Sequence, residues 1–174
     1  MSTSDSPSPA QRFVERLKRG EASVHAVLLA GSDETERDDI AHDIACAWLG
    51  LDPSKGLANV VDCFEVVPKP PSNVIVLSMI ATRNESEGLT VQNFIRTVPL
   101  KYKVKVVIIR QADRMNAYAC NALLKMLEEP QPYVRFLLTS SRPSILPATI
   151  VSRCVSVACR PREDEELTPL LQLY

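Results

Sequence analysis

Net charge is nearly absent from this chain. Lys+Arg 20 against Asp+Glu 21 leaves a formal charge of -1 over 174 residues. Overall charge therefore does not draw the chain to nucleic acid or anionic lipid, and any polyanion contact must come from a local patch. No apolar run approaches the ~20 residues that a membrane-spanning helix needs. The start, "MSTSDSPSPAQ", has no charged-then-apolar signal pattern, so the expected location is the cytoplasm, with no membrane partner. The five cysteines (Cys46, Cys63, Cys120, Cys154, Cys159) are odd in number and contain no CxxC. Neither a disulfide framework nor a zinc knuckle is written in them, no metal is expected, and they read as small core hydrophobes.

What is present is material for one sizeable core. Hydrophobic residues make up 45% of the chain, and the mean hydropathy of -0.02 is that of a globular protein. Residues 1–8, rich in Ser and Pro, are expected to be disordered. "PAQRFVERLKRGE" sets Phe13, Val14 and Leu17 on one helical face. "VHAVLLA" reads as a buried strand, and Ile40, Ala41, Ile44, Ala45 and Trp48 mark a helix after it. "VVDCFEVV" predicts a second strand, while "VIVLSMIA" fits either a strand or the start of a helix. "RNESEG" reads as a loop, and "LTVQNFIRTV" as a short helix with Val91, Phe94, Ile95 and Val98 inward. "VKVVII" is a strand, Asn116 is a good N-cap for "AYACNALLKMLEE", and Pro130 ends that helix. "VRFLLTS", "SILPATIVSR" and "CVSVAC" add strand, short helix and strand. Such alternation predicts an α/β fold with a mainly parallel five-stranded sheet flanked by helices.

Ligands of these sheets sit at the carboxyl ends of the strands, which directs attention to "AGSDETERDDIA". The phosphate-cradling pattern is G-x-x-x-x-G-K-[ST], in which backbone N–H groups curl round the anion, Lys reaches the outer phosphates and the hydroxyl holds magnesium. Gly31 fits its first position, but Glu36, Arg37 and Asp38 stand at the other three. Asp33, Glu34, Glu36, Asp38 and Asp39 set carboxylates against the single Arg37. Carboxylates there stabilise the helix N-terminus and repel phosphate, and Asp33 with Glu36 has the D-x-x-E spacing of a capping box. Nucleotide hydrolysis also needs an acidic pair at a central strand end, for magnesium and for the attacking water. After "VKVVII" the chain offers Arg110 and Gln111 instead, and Asp113 lies beyond the strand end.

From Lys105 to Cys154 the residues "DRMN", "NALLKMLEEP", a strand ending in hydroxyls, and "ILPATIVSRC" follow in an order and spacing that closely resemble the AAA+ domain of bacterial DNA polymerase III clamp-loader subunits, of the delta-prime type. "HAVLLAG" extends the likeness back to about Val24. The resemblance implies a three-layer AAA+, RecA-like domain over residues 9–160, and a start of a lid or a tail over 161–174. The helical collar is expected to be absent, since the chain stops at Tyr174. It also implies partners: ATP-binding gamma/tau-type and delta-type subunits, and through them the sliding clamp and primed DNA. "SRC" would bring Ser152, Arg153 and Cys154 to a subunit interface, with Arg153 as an arginine finger acting in trans. Read from the residues alone, Arg153 is a cation at a helix end, where it suits the dipole. Ser140, where the family places a phosphate-sensing residue, is expected to cap its strand. The family's zinc module is not expected, because Cys46 and Cys63 are its only candidate remnants.

For direct contact with DNA the candidates are Arg96, Lys101, Lys103 and Lys105, whose alternation beside a strand also reads as a solvated sheet edge. The expectation is a domain without a cofactor and without its own ATPase activity, working as a structural and activating subunit. Two alternatives stay open: an active ATPase with an atypical phosphate turn, and a stand-alone adaptor.

Overall fold

The computed structural model describes residues 7–82 and 88–159. Expectations for residues 1–6, for most of "RNESEG", and for the stretch after Cys159 fall outside it. Helix α1 (Pro9–Lys18) starts at Ser8, whose hydroxyl accepts from the Gln11 N–H at 3.1 Å while the Gln11 side chain accepts from the Ser8 N–H at 2.7 Å. Ser8 therefore belongs to the folded domain. Strand β1 (Ala26–Ala30) leads into α2 (Glu34–Leu49), which Gly50 closes in the left-handed conformation at φ 66°. Then come β2 (Cys63–Val66), α3 (Leu77–Ile80), α4 (Val91–Arg96), β3 (Lys105–Ile109), α5 (Ala117–Glu128), β4 (Val134–Ser140), α6 (Ala148–Val151) and β5 (Val155–Ala158).

The five strands pair only in parallel, in the order β2-β3-β4-β1-β5. Side chains alternate across a strand, so β1 sends Val27 and Leu29 to the face covered by α1 and α2, and Ala26 and Leu28 to the face covered by α3, α4 and α5. Strand β3 divides likewise, with Val106 and Ile108 on one side and Val107 and Ile109 on the other. Two aliphatic cores thus sandwich the sheet. Parallel pairing aligns the carboxyl ends: Ala30 lies beside Ser140 and Ala158, and Ile109 beside Val66 and Leu138. One edge of the sheet therefore gathers the turn after β1 and the residues after β3.

One local expectation left open is resolved, and two are corrected. "VIVLSMIA" ends in helix α3, entered through an isolated bridge from Ile75 to Met115. Val98 is 65% exposed, because α4 stops at Arg96 and the backbone at Thr97 is extended. Lys105 lies on no solvated edge: β3 is bonded to strands on both sides, and Lys105 is buried. Its ammonium donates to the Phe94 carbonyl at 2.8 Å and to Thr97 Oγ1 at 2.5 Å, 4.4 Å from the Phe94 ring centroid. Burial holds its pKa below the usual lysine value, opposed by the charge of Asp62.

Candidate functional site

The turn after β1 is closed by its own groups. The Gly31 N–H donates to the Ser140 carbonyl at 3.3 Å, and the Cys159 N–H donates to the Ala30 carbonyl at 2.8 Å. A Cβ on Gly31 would stand 3.0 Å from Cys159 Cβ and 3.1 Å from the Cys159 carbonyl oxygen. The approach of β5 is thus sufficient reason for glycine at this position. Asp33 is the N-cap of α2, and its Oδ1 accepts from the Glu36 N–H at 3.0 Å. This is one of the N–H groups a phosphate would otherwise take. Arg37 is buried, and its guanidinium donates to the Gly31 carbonyl, filling the inside of the turn with a side chain.

The residues after β3 meet this turn directly. Arg110 Nε donates to Glu65 of β2 at 2.5 Å, and Arg110 Nη1 donates to Asp38 of α2 at 2.5 Å. A guanidinium presents donors in a rigid fork and can therefore hold two carboxylates from different elements at once. Gln111 adopts a left-handed backbone, with φ 50°. Its N–H donates to Thr139 Oγ1 at 3.1 Å and its side-chain amide donates to Glu34 Oε1 at 2.9 Å. The candidates Asp38, Arg110 and Gln111, read separately in the sequence, are therefore joined, together with Glu34 and with a residue the sequence reading missed, Glu65. Glu65 carried a faint signal as the one charged position in the strand "CFEV".

Ser140 stands fully buried at the end of β4, as expected of a strand-end cap. Its hydroxyl donates to Asp113 Oδ1 at 2.8 Å and accepts from the Arg142 N–H at 3.1 Å. Arg142 Nε approaches the other Asp113 oxygen at 3.7 Å.

Arg153 lies apart from this cluster, just past α6. Its Nη1 donates to the Thr149 carbonyl at 2.9 Å and its Nη2 to Glu128 Oε1, at the end of α5, at 2.8 Å. Ser152 donates to the Thr149 carbonyl at 3.1 Å. Cys154 packs at the rim of the core, and desolvation pushes its thiol up to about 11, so it stays protonated at neutral pH. Burial pushes Cys63 up to about 12, with the charge of Glu65 adding to it. All five cysteines are free, and among the described residues no group of three His, Cys, Asp or Glu side chains is placed to hold a metal.

An all-parallel five-stranded sheet with helices on both faces, and its charged cluster at the strand ends, is an AAA+ α/β domain. A solved structure similar to it is the DNA polymerase III gamma subunit-related protein of Thermotoga maritima, with a TM-score of 0.69 at 25% identity over 87% of this chain and 47% of that one. The family described as DNA polymerase III, delta subunit matches residues 6–163, and the chain belongs to it. Among curated relatives, the DNA polymerase III subunit delta' of Pseudomonas aeruginosa is 54% identical over 55 residues, covering 32% of this chain and 17% of that protein. The subunit tau of Escherichia coli (strain K12) is 28% identical over 153 residues, 85% of this chain but 23% of that protein. The chain thus corresponds to less than a quarter of the tau subunit's length, and it is a clamp-loader-related domain of AAA+ type.

Proposed function

We propose that this domain serves a cytoplasmic clamp loader without hydrolysing nucleotide itself, and that it supplies Arg153 to the ATP site of a neighbouring subunit. The observation that carries the first half is the pairing of Arg110 with Asp38 and Glu65. A magnesium nucleotide needs a hydroxyl on the helix, an acid on the strand end and free N–H groups in the turn. Those positions hold an acid, a guanidinium, and N–H groups already bonded to Ser140 and Asp33. These residue types and contacts support a turn that takes no magnesium triphosphate.

Arg153 supports the second half by its placement. It follows a helix of one turn, its side chain is 34% exposed, and Glu128, its carboxylate partner, is 44% exposed. An ion pair that open to water is worth only ~0–1 kcal/mol, so a phosphoryl group with more negative charge can displace Glu128. A guanidinium delivered across an interface is worth ~10³–10⁵ in rate in other nucleotide hydrolases. The partners are then ATP-binding clamp-loader subunits, with the sliding clamp and primed DNA engaged through the complex.

The test is DNA-stimulated ATP hydrolysis in a loader reconstituted from the ATP-binding subunits and the subunit carrying this domain. Arg153→Ala is expected to stop turnover at the adjacent site while Glu128→Ala leaves it intact. An unchanged rate with Arg153→Ala in an assembled complex removes Arg153 from the mechanism.

A further inference from the structure

We infer that the cleft between the end of α2 and the loop preceding β3 binds single-stranded nucleic acid, a contact independent of Arg153. The cleft is an open groove of about 560 Å³, lined by Ala47, Trp48 and Gly50 on one side and by Lys101, Tyr102 and Lys103 on the other. No acidic side chain lines it. Lys101 and Lys103 are exposed, and among the described residues neither ammonium has an ion-pair partner. Asp52, two residues beyond Gly50, is exposed and accepts from the Ser54 N–H at 2.9 Å, a bond that favours its charged form and leaves one carboxylate beyond the end of α2.

The loop that carries the lysines is built rather than loose. Asp62, fully buried, accepts from the N–H groups of Leu100 at 2.8 Å, Lys101 at 2.7 Å and Tyr102 at 2.9 Å. Its own carbonyl accepts from the Val106 N–H at 2.8 Å, fixing the loop to the start of β3. A buried carboxylate held by three backbone donors spends its charge inside the protein and leaves the two exposed lysines free of a direct carboxylate contact among the described residues. Tyr102 stands between them, with Lys101 Nζ 5.4 Å from its ring centroid.

Cations alone would serve any polyanion. The half-buried Trp48 and Tyr102 favour nucleic acid, because every base has a π face that an aromatic ring can stack on, and a polycarboxylate chain without aromatic rings, such as polyglutamate, has none. Orientation follows from α2, whose last turn contains no basic residue and presents the negative end of the helix dipole at Gly50. Phosphates belong on the lysine side and a base on the Trp48 side.

Trp48 is the single tryptophan of the chain, so its emission reports on this cleft alone. Titrating the full chain with a deoxythymidine decamer is expected to quench it saturably. Two phosphates neutralised on a single strand give a log–log salt slope of about -1.4, or roughly sevenfold weaker binding between ~50 and ~200 mM salt. Lys101→Glu with Lys103→Glu is expected to weaken binding at least tenfold, and the milder Lys101→Gln with Lys103→Gln to weaken it less. Both pairs of changes should leave the far-ultraviolet circular dichroism and the unliganded emission maximum unchanged. The inference is overturned if the decamer gives no saturable quenching at low salt, if the charge-reversed protein quenches equally, or if polyglutamate of the same charge quenches as strongly.

Discussion

Replacing Arg110 by methionine tests the contact on which the functional reading turns. The change keeps most of the apolar stem and removes the guanidinium that holds Asp38 and Glu65, both at 2.5 Å. Two effects bound its size. Hydrogen bonds to charged groups are worth ~1.5–3 kcal/mol, whereas exposed ion pairs are worth ~0–1 kcal/mol. Arg110 is only 16% exposed, but Asp38 and Glu65 are 47% and 45% exposed and regain water once the partner is gone. No orphaned buried charge remains, so the lower figures govern each contact, with some added repulsion between the two released carboxylates. The sum is about 1–3 kcal/mol, which for a domain of this size lowers the Tm by roughly 2–10 °C. Differential scanning calorimetry at low salt measures it. The same comparison near 1 M salt, where the Debye length is ~3 Å, should show a smaller difference, because the loss is electrostatic. A double-mutant cycle with Asp38→Asn should return a coupling of about 0.5 kcal/mol or more. A loss of stability that salt does not reduce, with no coupling to Asp38, would refute the bridge and leave only packing.

Magnesium ATP at millimolar concentration should leave the Tm unchanged, since a ligand at 100 times its Kd would add ~2.7 kcal/mol and a shift of several degrees; such a shift would restore nucleotide binding as a working reading. Gly31→Ala should destabilise the domain by about 1–3 kcal/mol through overpacking against Cys159, and a neutral result in chemical denaturation would mean that β5 yields. For Asp62, burial pushes the carboxyl up, but the N–H groups of Leu100, Tyr102 and Lys101, helped by the charge of Lys105, outweigh it and hold the pKa below its ordinary value. Its stabilisation is therefore complete above the unfolded carboxyl value of ~3.9 and is lost as pH falls through the lower folded value. Asp62→Asn should cost ~1–3 kcal/mol at neutral pH, with the gap to the unsubstituted protein narrowing in acid; a gap independent of pH would show that the charge of Asp62 is not what holds the loop.

Much of this fold was legible because local and global signals agree. "VKVVII" lies buried in β3 as its composition predicts, and Asn116 caps α5 with its side chain 2.9 Å from the Ala119 N–H. The alternation of strands and helices led to five parallel strands without any knowledge of which neighbours pair. The misreadings are tertiary. Lys105 looks like a solvated position until Phe94 and Thr97, from another element, receive its ammonium. The site follows the same division. Each departure from the phosphate-binding pattern at the turn and at the strand end could be read by residue type, but only separately, because Asp38 and Arg110 are 72 positions apart and Glu34 and Gln111 are 77 apart. In the fold the two departures are complementary. Where a cation would bridge a hydroxyl on the helix and an acid on the strand, an acid stands on the helix and the cation is part of the strand end. Restoring the turn alone would free the Arg110 guanidinium to face the phosphates from the wrong place, and restoring the strand end alone would set a new acid against Asp38. On the reading proposed above, nucleotide binding returns only when both sides change together. That coupling would keep either change made singly from recovering the site.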